Sequence, residues 1–153
     1  MQQYIGTKII QAEPMSRGNY NIYRGWKIPE DENPDDEGYL IKYQDSYMSW
    51  SPKDVFEEAY RPTDGMTFGL ALEALKKGEK VARKGWNGKG MALFLTPGSQ
   101  ITVSEGRPLA AVFPVGAVVE YQPHIDMKTA QGSIVPWLCS QTDMLAEDWT
   151  IVK

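Results

Sequence analysis

The pattern of apolar and polar residues predicts a small mixed unit in the first part of the chain. Tyr4–Ile10 is apolar and β-branched enough to form a strand, and Ser16 is placed to cap a short helix after it. Further along, the polar turn Gln44–Ser46 separates two strand-like segments, Gly38–Tyr43 and Tyr47–Trp50. Two such segments joined by a short polar turn predict a β-hairpin.

A second helix in this part is predicted over Pro52–Tyr60. Ser51 would be its N-cap, and proline is favoured at the first helical position. Its apolar residues recur at helical spacing and predict a stripe that faces the core, made of Val55, Phe56, Ala59 and Tyr60. The turn-forming segment Arg61–Gly65 follows, and we place a domain boundary there.

The second part of the chain opens with another helix signal. Thr67 is the predicted cap of a helix over Phe68–Lys77, and Gly78 ends it in the left-handed conformation. The predicted strands are Glu79–Lys84, Met91–Leu95, Ala110–Tyr121 with a break at Pro114–Gly116, Ile134–Leu138 and Trp149–Val152, with Gln100–Ser104 as a further edge strand. The sequence therefore predicts an α+β protein. Residues 1–62 form a small acidic α+β unit, and residues 66–153 form an antiparallel sheet packed with one main helix.

Charge is distributed unevenly between these two parts. Residues 1–62 carry seven Lys and Arg against eleven Asp and Glu, whereas residues 63–153 carry nine of each. Much of the acidic excess lies in Glu30–Glu37, which we expect to be extended and solvated through self-repulsion. The second part has six cations between positions 76 and 89. They are too few for a polymeric nucleic acid but enough to attract a small phosphorylated ligand.

Composition excludes several other classes of protein. The single cysteine excludes an internal disulfide, and the single histidine argues against a histidine-based metal cage. No apolar run reaches the roughly 18–20 residues of a membrane span, and the N-terminus has no signal-peptide pattern. We therefore expect a protein of a reducing cytoplasm without a membrane partner, a metal or another cofactor.

Two segments combine aromatic rings, cations and amides without a set of residues suited to breaking bonds. Residues 83–90 surround Trp86 with cations and glycines, and residues 124–143 contain Trp137 among short polar side chains. This content indicates the binding of a planar, anionic molecule rather than catalysis. The alternative for each tryptophan is a half-buried structural role. We expect the other three tryptophans, Trp26, Trp50 and Trp149, to be packing or surface residues.

An enzyme and an assembly protein remain as alternative functions. His124 and Asp126 would share one face of a strand and could act as a general base in phosphodiester hydrolysis. Cys139 could be a nucleophile, although a buried thiol is the commoner role for a cysteine that follows leucine. A small structural or assembly protein would instead use its acidic first unit as an interaction surface.

Five ordered motifs in residues 66–153 resemble the phage Thoeris anti-defence 2 family. They are Met66–Gly78, Lys84–Gly90, His124–Thr129, Val135–Trp137 and Ser140–Trp149. Leu70 stands where the family often has an acidic residue, which removes half of a capping box at Thr67. Residues 1–62 lie outside the resemblance and are similar only to an N-terminal extension found on some phage relatives.

The resemblance implies a sponge that acts in the cytoplasm of the infected bacterium. Members of this family bind glycocyclic ADP-ribose signals, made by TIR-domain proteins of the Thoeris defence, without hydrolysing them. Some members also sequester cyclic oligonucleotides at a separate site. The family assembles as a homotetramer with pockets built between subunits.

The candidate residues are compatible with such a ligand. Trp86 and Trp137 would stack on the base, because stacking on an aromatic ring is worth about 1–3 kcal/mol per base. Arg83, Lys84 and Lys89 would face the pyrophosphate, although a solvated basic turn is an alternative for each. The hydrogen-bonding candidates for ribose and base are Asn87, Gln141, Thr142 and Asp143, and Asp126 completes the set of ligand-binding candidates. Asp143 could equally be the N-cap of a turn over Met144–Glu147.

Overall fold

The computed structural model describes all 153 residues and divides into two compact units, Met1–Arg61 and Pro62–Lys153. Its helices and strands, with every strand pair antiparallel, confirm the predicted α+β class. None of the helices has the length and apolar composition needed to span a lipid bilayer.

The first unit is built on a three-stranded sheet in the order β1-β2-β3. Its strands are β1 (Gln11–Pro14), β2 (Gly38–Lys42) and β3 (Met48–Pro52). The β2–β3 pair confirms the predicted hairpin. The predicted strand over Tyr4–Ile10 is wrong, because β2 pairs only with residues 11–14. A strand without a partner would leave its backbone hydrogen-bonding groups unpaired.

The first helix, α1 (Arg17–Tyr23), begins where the sequence predicts it. The Oγ of Ser16 accepts a hydrogen bond from the backbone N–H of Asn19 at 3.3 Å. This bond satisfies one of the N–H groups that have no partner inside the helix.

The expectation that the acidic loop Glu30–Glu37 is extended is wrong. The backbone N–H groups of Arg17 and Gly18 donate to the carbonyls of Asp36 and Pro34, each at 2.9 Å. The Arg17 guanidinium also pairs with the carboxylate of Glu32. These contacts outweigh the repulsion among the carboxylates and hold the loop against the first turn of α1.

The second helix, α2 (Lys53–Ala59), differs from the prediction in its cap and its burial. Pro52 occupies the N-cap position without a side-chain hydrogen bond, so Ser51 is not the cap. No residue of α2 is buried, and Val55 is 54% exposed. The ring of Phe56 stacks on that of Tyr39 at 4.2 Å. The helix therefore packs Phe56 by aromatic stacking, with Tyr60 stacked on the other side of its ring, and leaves Val55 and Ala59 exposed.

The second unit contains the main helix, α3 (Phe68–Lys76), and it confirms the predicted signals at both ends. Thr67 Oγ1 accepts a hydrogen bond from the N–H of Leu70 at 3.4 Å. Gly78 follows with a φ of 86°, which residues with a Cβ rarely adopt. Seven strands come after α3, and they are β4 (Lys80–Arg83), β5 (Ala92–Thr96), β6 (Ser99–Thr102), β7 (Val118–Tyr121), β8 (His124–Lys128), β9 (Ile134–Pro136) and β10 (Trp149–Val152). A short helix, α4 (Gln141–Met144), lies between β9 and β10.

Five of these strands form one sheet in the order β10-β4-β5-β8-β9, while β6 and β7 pair with each other. Successive residues of a strand face opposite sides of the sheet. Val81, Leu93 and Trp149 lie on the side of α3 and form the buried core with helix residues such as Ala71 and Leu75. The even-numbered residues of β5 and β8 therefore face the opposite side, where Phe94 pairs with Asp126 and Thr96 with His124.

The predicted strand over Ala110–Tyr121 is wrong in its first half. Residues Pro108–Ala111 form a 3₁₀ turn, and the strand β7 starts only at Val118. Pro114 has no N–H for a ladder, and Gly116 adopts a left-handed φ of 88°, so neither residue suits a strand. Residues 99–121 thus form a two-stranded arm between β5 and β8, the β6–β7 arm.

Candidate functional site

Arg83, at the end of β4, is held by two carboxylates. Its Nε donates to Asp148 Oδ1 at 2.7 Å, and its Nη1 donates to Asp143 Oδ1 at 2.8 Å. Strand pairing places Arg83 opposite Trp149, which brings the preceding residue Asp148 alongside. The hydrogen bond from Arg83, with a smaller contribution from the Gly85 N–H, lowers the pKa of the Asp148 carboxyl. One positive charge therefore faces two carboxylates, and Arg83 is not a free cation.

Asp143 joins this ion pair to a tryptophan and to α4. Its Oδ1 also accepts a hydrogen bond from the indole Nε1 of Trp86 at 3.0 Å, and its Oδ2 accepts one from Ser140 Oγ at 2.8 Å. Burial alone raises the pKa of Asp143, but the hydrogen bonds from Arg83, Trp86 and Ser140 outweigh it and lower the pKa. Asp143 is consequently an ionised group with most of its acceptor capacity in use.

Ser140, rather than Asp143, is the N-cap in this region. Its Oγ accepts a hydrogen bond from the Asp143 N–H at 3.0 Å, and α4 starts at Gln141. The alternative in which Asp143 caps a turn over Met144–Glu147 is therefore wrong. Asp143 lies inside the first turn of the helix, where a negative charge is favourable.

Three aromatic rings surround the buried ring of Trp149. Its centroid lies 5.4 Å from that of Phe68, 5.5 Å from that of Trp86 and 6.1 Å from that of Trp137. Trp149 is fully buried, as its predicted packing role requires. Trp86 and Trp137 are half-buried and pack against the core. Each of the two rings thus has a structural contact and an accessible part.

The remaining polar candidates of these segments are exposed. Lys84, Asn87 and Lys89 lie in the loop after β4, and Gln141 and Thr142 lie in α4. Lys84 forms only a surface ion pair, with 3.4 Å between its Nζ and Asp64 Oδ2. Exposed pairs of this kind contribute little to stability. The structure therefore leaves Lys84 and Lys89 as the cations that an incoming anion could contact.

Asp126 lies apart from these residues, on the opposite side of the sheet. It is 8% exposed, and its Oδ2 accepts a hydrogen bond from Thr96 Oγ1 at 2.6 Å. The Nε2 of His124 lies 3.3 Å from the same oxygen, and its Nδ1 lies 2.9 Å from the carbonyl of Gln122. The structure thus brings Asp126 together with His124 but not with Trp86.

Cys139 precedes the Ser140 cap and is half-buried. Burial raises the pKa of its thiol, which keeps the sulfur protonated and weakly nucleophilic. No group of three or more His, Cys, Asp or Glu side chains is arranged to hold a metal ion.

The sequence did not indicate a role for Asp148 or the capping role of Ser140. Asp148 carries no local signal, because its partner Arg83 lies 65 positions earlier in the chain. Ser140 does carry a local signal, since serine three residues before an acidic residue is a common helix start.

Comparison with known proteins identifies the second unit. Residues 66–152 match the family model of the Thoeris anti-defense 2-like domain. The chain belongs to the Thoeris anti-defense 2 family. A relative named Thoeris anti-defense 2, from Bacillus phage SP01, is 44% identical over 91 residues, which cover 58% of this chain and 96% of the relative. The resemblance stated from the motifs is confirmed.

The candidate site lies within the segment that matches the Thoeris anti-defense 2-like domain. Every residue of the Arg83, Trp86, Asp143 and Asp148 network lies within the matched segment. The first unit, Met1–Arg61, lies outside it. The match covers 96% of the phage SP01 relative, so that relative lacks a counterpart of the first unit.

Proposed function

We propose that this protein binds and sequesters glycocyclic ADP-ribose, made by TIR-domain proteins, without cleaving it. It acts in the cytoplasm of the infected bacterial host as a phage anti-defence protein. The proposal rests on the family together with one observation. Asp143 joins the loop that carries Trp86 to the helix that carries Gln141 and Thr142.

The chemistry of the joined segments suits a cyclic dinucleotide-like ligand. The half-exposed rings of Trp86 and Trp137 can stack on the adenine, and such stacking is worth about 1–3 kcal/mol per base. Lys84 and Lys89 can face the pyrophosphate. The exposed amides and hydroxyl of Asn87, Gln141 and Thr142 can hydrogen-bond the ribose or the base edge.

Binding without cleavage is favoured over phosphodiester hydrolysis by the positions of the reactive side chains. His124 and Asp126 lie on the side of the sheet opposite to the core on which Trp86 packs. The Asp126 oxygen nearest to His124 already accepts a hydrogen bond from the Thr96 hydroxyl. A ligand stacked on Trp86 would therefore not meet the His124–Asp126 pair of the same subunit.

We further propose a homotetramer with ligand pockets between subunits. Apolar side chains beside the candidate site are strongly exposed in the single chain, with Leu138 at 90% and Leu145 at 77%. The β6–β7 arm also exposes apolar residues, among them Val112 at 73% and Val118 at 62%. Large exposed apolar patches mark interaction surfaces. A second site for cyclic oligonucleotides stays a prediction from the family.

Recovery of the ligand tests the proposed function directly. The protein is incubated with equimolar glycocyclic ADP-ribose, separated from free ligand, denatured by heat and analysed by mass spectrometry. We expect one intact ligand for each occupied site. Hydrolysed product in excess over protein would contradict sequestration and favour the phosphodiesterase alternative. A protein that retains no ligand would contradict binding itself.

Light scattering at micromolar concentration tests the assembly. We expect about four times the 17.2 kDa mass of one chain. A mass near that of the monomer would contradict both the tetramer and the pockets between subunits.

A further inference from the structure

One carboxylate connects three separate parts of the candidate site. Asp143 Oδ1 accepts hydrogen bonds from Arg83 Nη1 at 2.8 Å and from Trp86 Nε1 at 3.0 Å. Its Oδ2 accepts the Ser140 hydroxyl, and its backbone carbonyl accepts the indole N–H of Trp149 at 2.9 Å. The two halves of the site are therefore aligned through a single residue.

We propose that Asp143 is a positioning residue, which fixes the ring of Trp86 for the ligand and does not contact the ligand itself. Arg83 is the counter-ion that keeps Asp143 in place. This inference rests on the proposed function, and it changes the roles that the sequence predicts for Asp143 and Arg83. Both were candidates for direct contact with the ligand.

The charge of the network argues against direct contact with a pyrophosphate. Arg83 contributes one positive charge, whereas Asp143 and Asp148 contribute two negative charges. The group is thus net negative and would repel an anionic ligand. Only 15% of the Asp143 side chain is exposed, and three side-chain donors already occupy its oxygens.

The same hydrogen bonds suit a positioning role. An indole ring can rotate about two side-chain torsions, and a ligand that stacks on it must otherwise immobilise it. The N–H bond to Asp143 and the edge contact with Trp149, at 5.5 Å between centroids, fix the Trp86 ring before the ligand arrives. Fixing one such side chain in advance strengthens binding by roughly two- to tenfold.

Indole N–H exchange tests the position of Trp86 without any ligand. The chain has five tryptophans, so Trp86→Phe identifies the Trp86 signal as the one that disappears from the indole region of a nitrogen–proton spectrum. We expect Asp143→Ala, which removes the side-chain acceptor, to accelerate exchange of that N–H at least tenfold. The Trp149 N–H is an internal control, because it donates to the backbone carbonyl that alanine retains. Unchanged exchange at Trp86, or equal acceleration at both rings, would overturn the proposal.

A double-mutant cycle tests the consequence for binding of glycocyclic ADP-ribose. We expect Asp143→Ala to weaken binding about tenfold in the wild-type background and less than twofold in the Trp86→Phe background. Equal losses in both backgrounds would mean that Asp143 contacts the ligand, which overturns the proposal.

Two further outcomes keep the test decisive. If Asp143→Ala does not fold, Trp86→Phe decides, because phenylalanine keeps an aromatic face but cannot donate to Asp143. We expect it to weaken binding about tenfold while the protein still unfolds in a cooperative thermal transition, and unchanged affinity would overturn the proposal. If the wild-type protein binds no glycocyclic ADP-ribose, the proposed function fails, and indole exchange still decides whether Asp143 positions Trp86.

Discussion

Each unit of this protein places an arginine, a carboxylate and a tryptophan together, but the connections differ. In the first unit Arg17 pairs with Glu32 and lies over the ring of Trp50, 5.1 Å from its centroid. The Trp50 N–H donates to the backbone carbonyl of Met15 at 2.8 Å. Trp50 thus has a cation on its face and a backbone partner for its N–H.

In the second unit the carboxylate stands between the arginine and the tryptophan. Asp143 accepts hydrogen bonds from both Arg83 and Trp86, and Arg83 is shared with Asp148. The edge of the Trp86 ring is therefore fixed by its N–H, while the ring remains half-exposed. Both rings are half-buried, so the same residue types place a cation on the face of one indole and fix the edge of the other through its N–H.

Removal of the two arginines should give the largest difference between the units. Arg83→Ala leaves two carboxylates, with side chains 15% and 31% exposed, without a counter-ion, and we expect the second unit to lose about 2–4 kcal/mol of unfolding free energy. Arg17→Ala should cost less, because it leaves a single carboxylate, Glu32, which keeps a hydrogen bond from Asn21. Hydrogen exchange of the backbone amides of each unit, measured at increasing urea concentration, gives the unfolding free energy of that unit for both variants.

Arg83→Lys is the matched control for this comparison. Lysine keeps the positive charge but cannot donate to two carboxylates with the fixed geometry of a guanidinium. We expect a loss between those of the wild type and Arg83→Ala. Equal losses for Arg17→Ala and Arg83→Ala would contradict the difference drawn between the two networks.

The structural features that could be predicted from the sequence are those that depend on neighbouring residues. Ser16 and Thr67 were predicted as caps because each signal lies within four residues, and Gly78 was predicted because a helix end favours its left-handed φ. Strand β8 was not among the predicted strands. Its polar residues, which include Asp126, alternate with core residues and face the side of the sheet opposite to α3.

The chemistry of the site could be predicted only by residue type. Trp86 and Asp143 are candidates because an indole and a carboxylate commonly serve in binding sites. Their mutual hydrogen bond joins positions 57 residues apart, and that of Arg83 with Asp148 joins positions 65 apart. Such distant pairs depend on the sheet order, which places β10 beside β4. No local pattern in one sequence specifies that order.

Replacement of tryptophans in the second unit should lower the affinity for the ligand, whereas replacement in the first unit should not. Trp86→Ala or Trp137→Ala removes a stacking surface and should weaken binding of glycocyclic ADP-ribose by about 1–3 kcal/mol, roughly ten- to hundredfold. Trp26→Ala is the control, because this ring is 50% exposed in the unit outside the family match. We expect it to leave the affinity unchanged. Calorimetric titration measures all three variants, and a Trp86→Ala protein that binds normally would contradict the stacking role.

Acid should weaken both networks. Hydrogen bonds from Arg17 and Asn21 lower the pKa of Glu32 from 4.5 to about 2, and Arg83 lowers that of Asp148 from 3.8. Since these folded-state pKa values lie below those of the unfolded chain, their stabilisation is complete above about pH 4.5. It is lost as the pH falls through the folded values.

Thermal midpoints at pH 7, 4 and 3 measure this acid dependence. Glu32→Gln should flatten the dependence for the first unit, and Asp148→Asn should flatten it for the second. If either variant keeps the full wild-type dependence in its own unit, the corresponding carboxylate is not the group that titrates.

The smallest effect is expected when the whole first unit is removed. A protein beginning at Pro62 should fold, assemble and bind glycocyclic ADP-ribose within a few-fold of the full chain, because the family match starts at residue 66. Residues 62–65 should be kept, since the Thr63 carbonyl accepts a hydrogen bond from the Ile151 N–H at 2.9 Å. A protein that begins at Met66 is the matched control and should lose about 0.5–1.5 kcal/mol of unfolding free energy with that bond.

If the Pro62 protein is insoluble or binds a hundredfold more weakly, the first unit is part of the folded domain or of its pocket. The contrast between the Arg17 network and the Arg83 network would then no longer follow the boundary between the units.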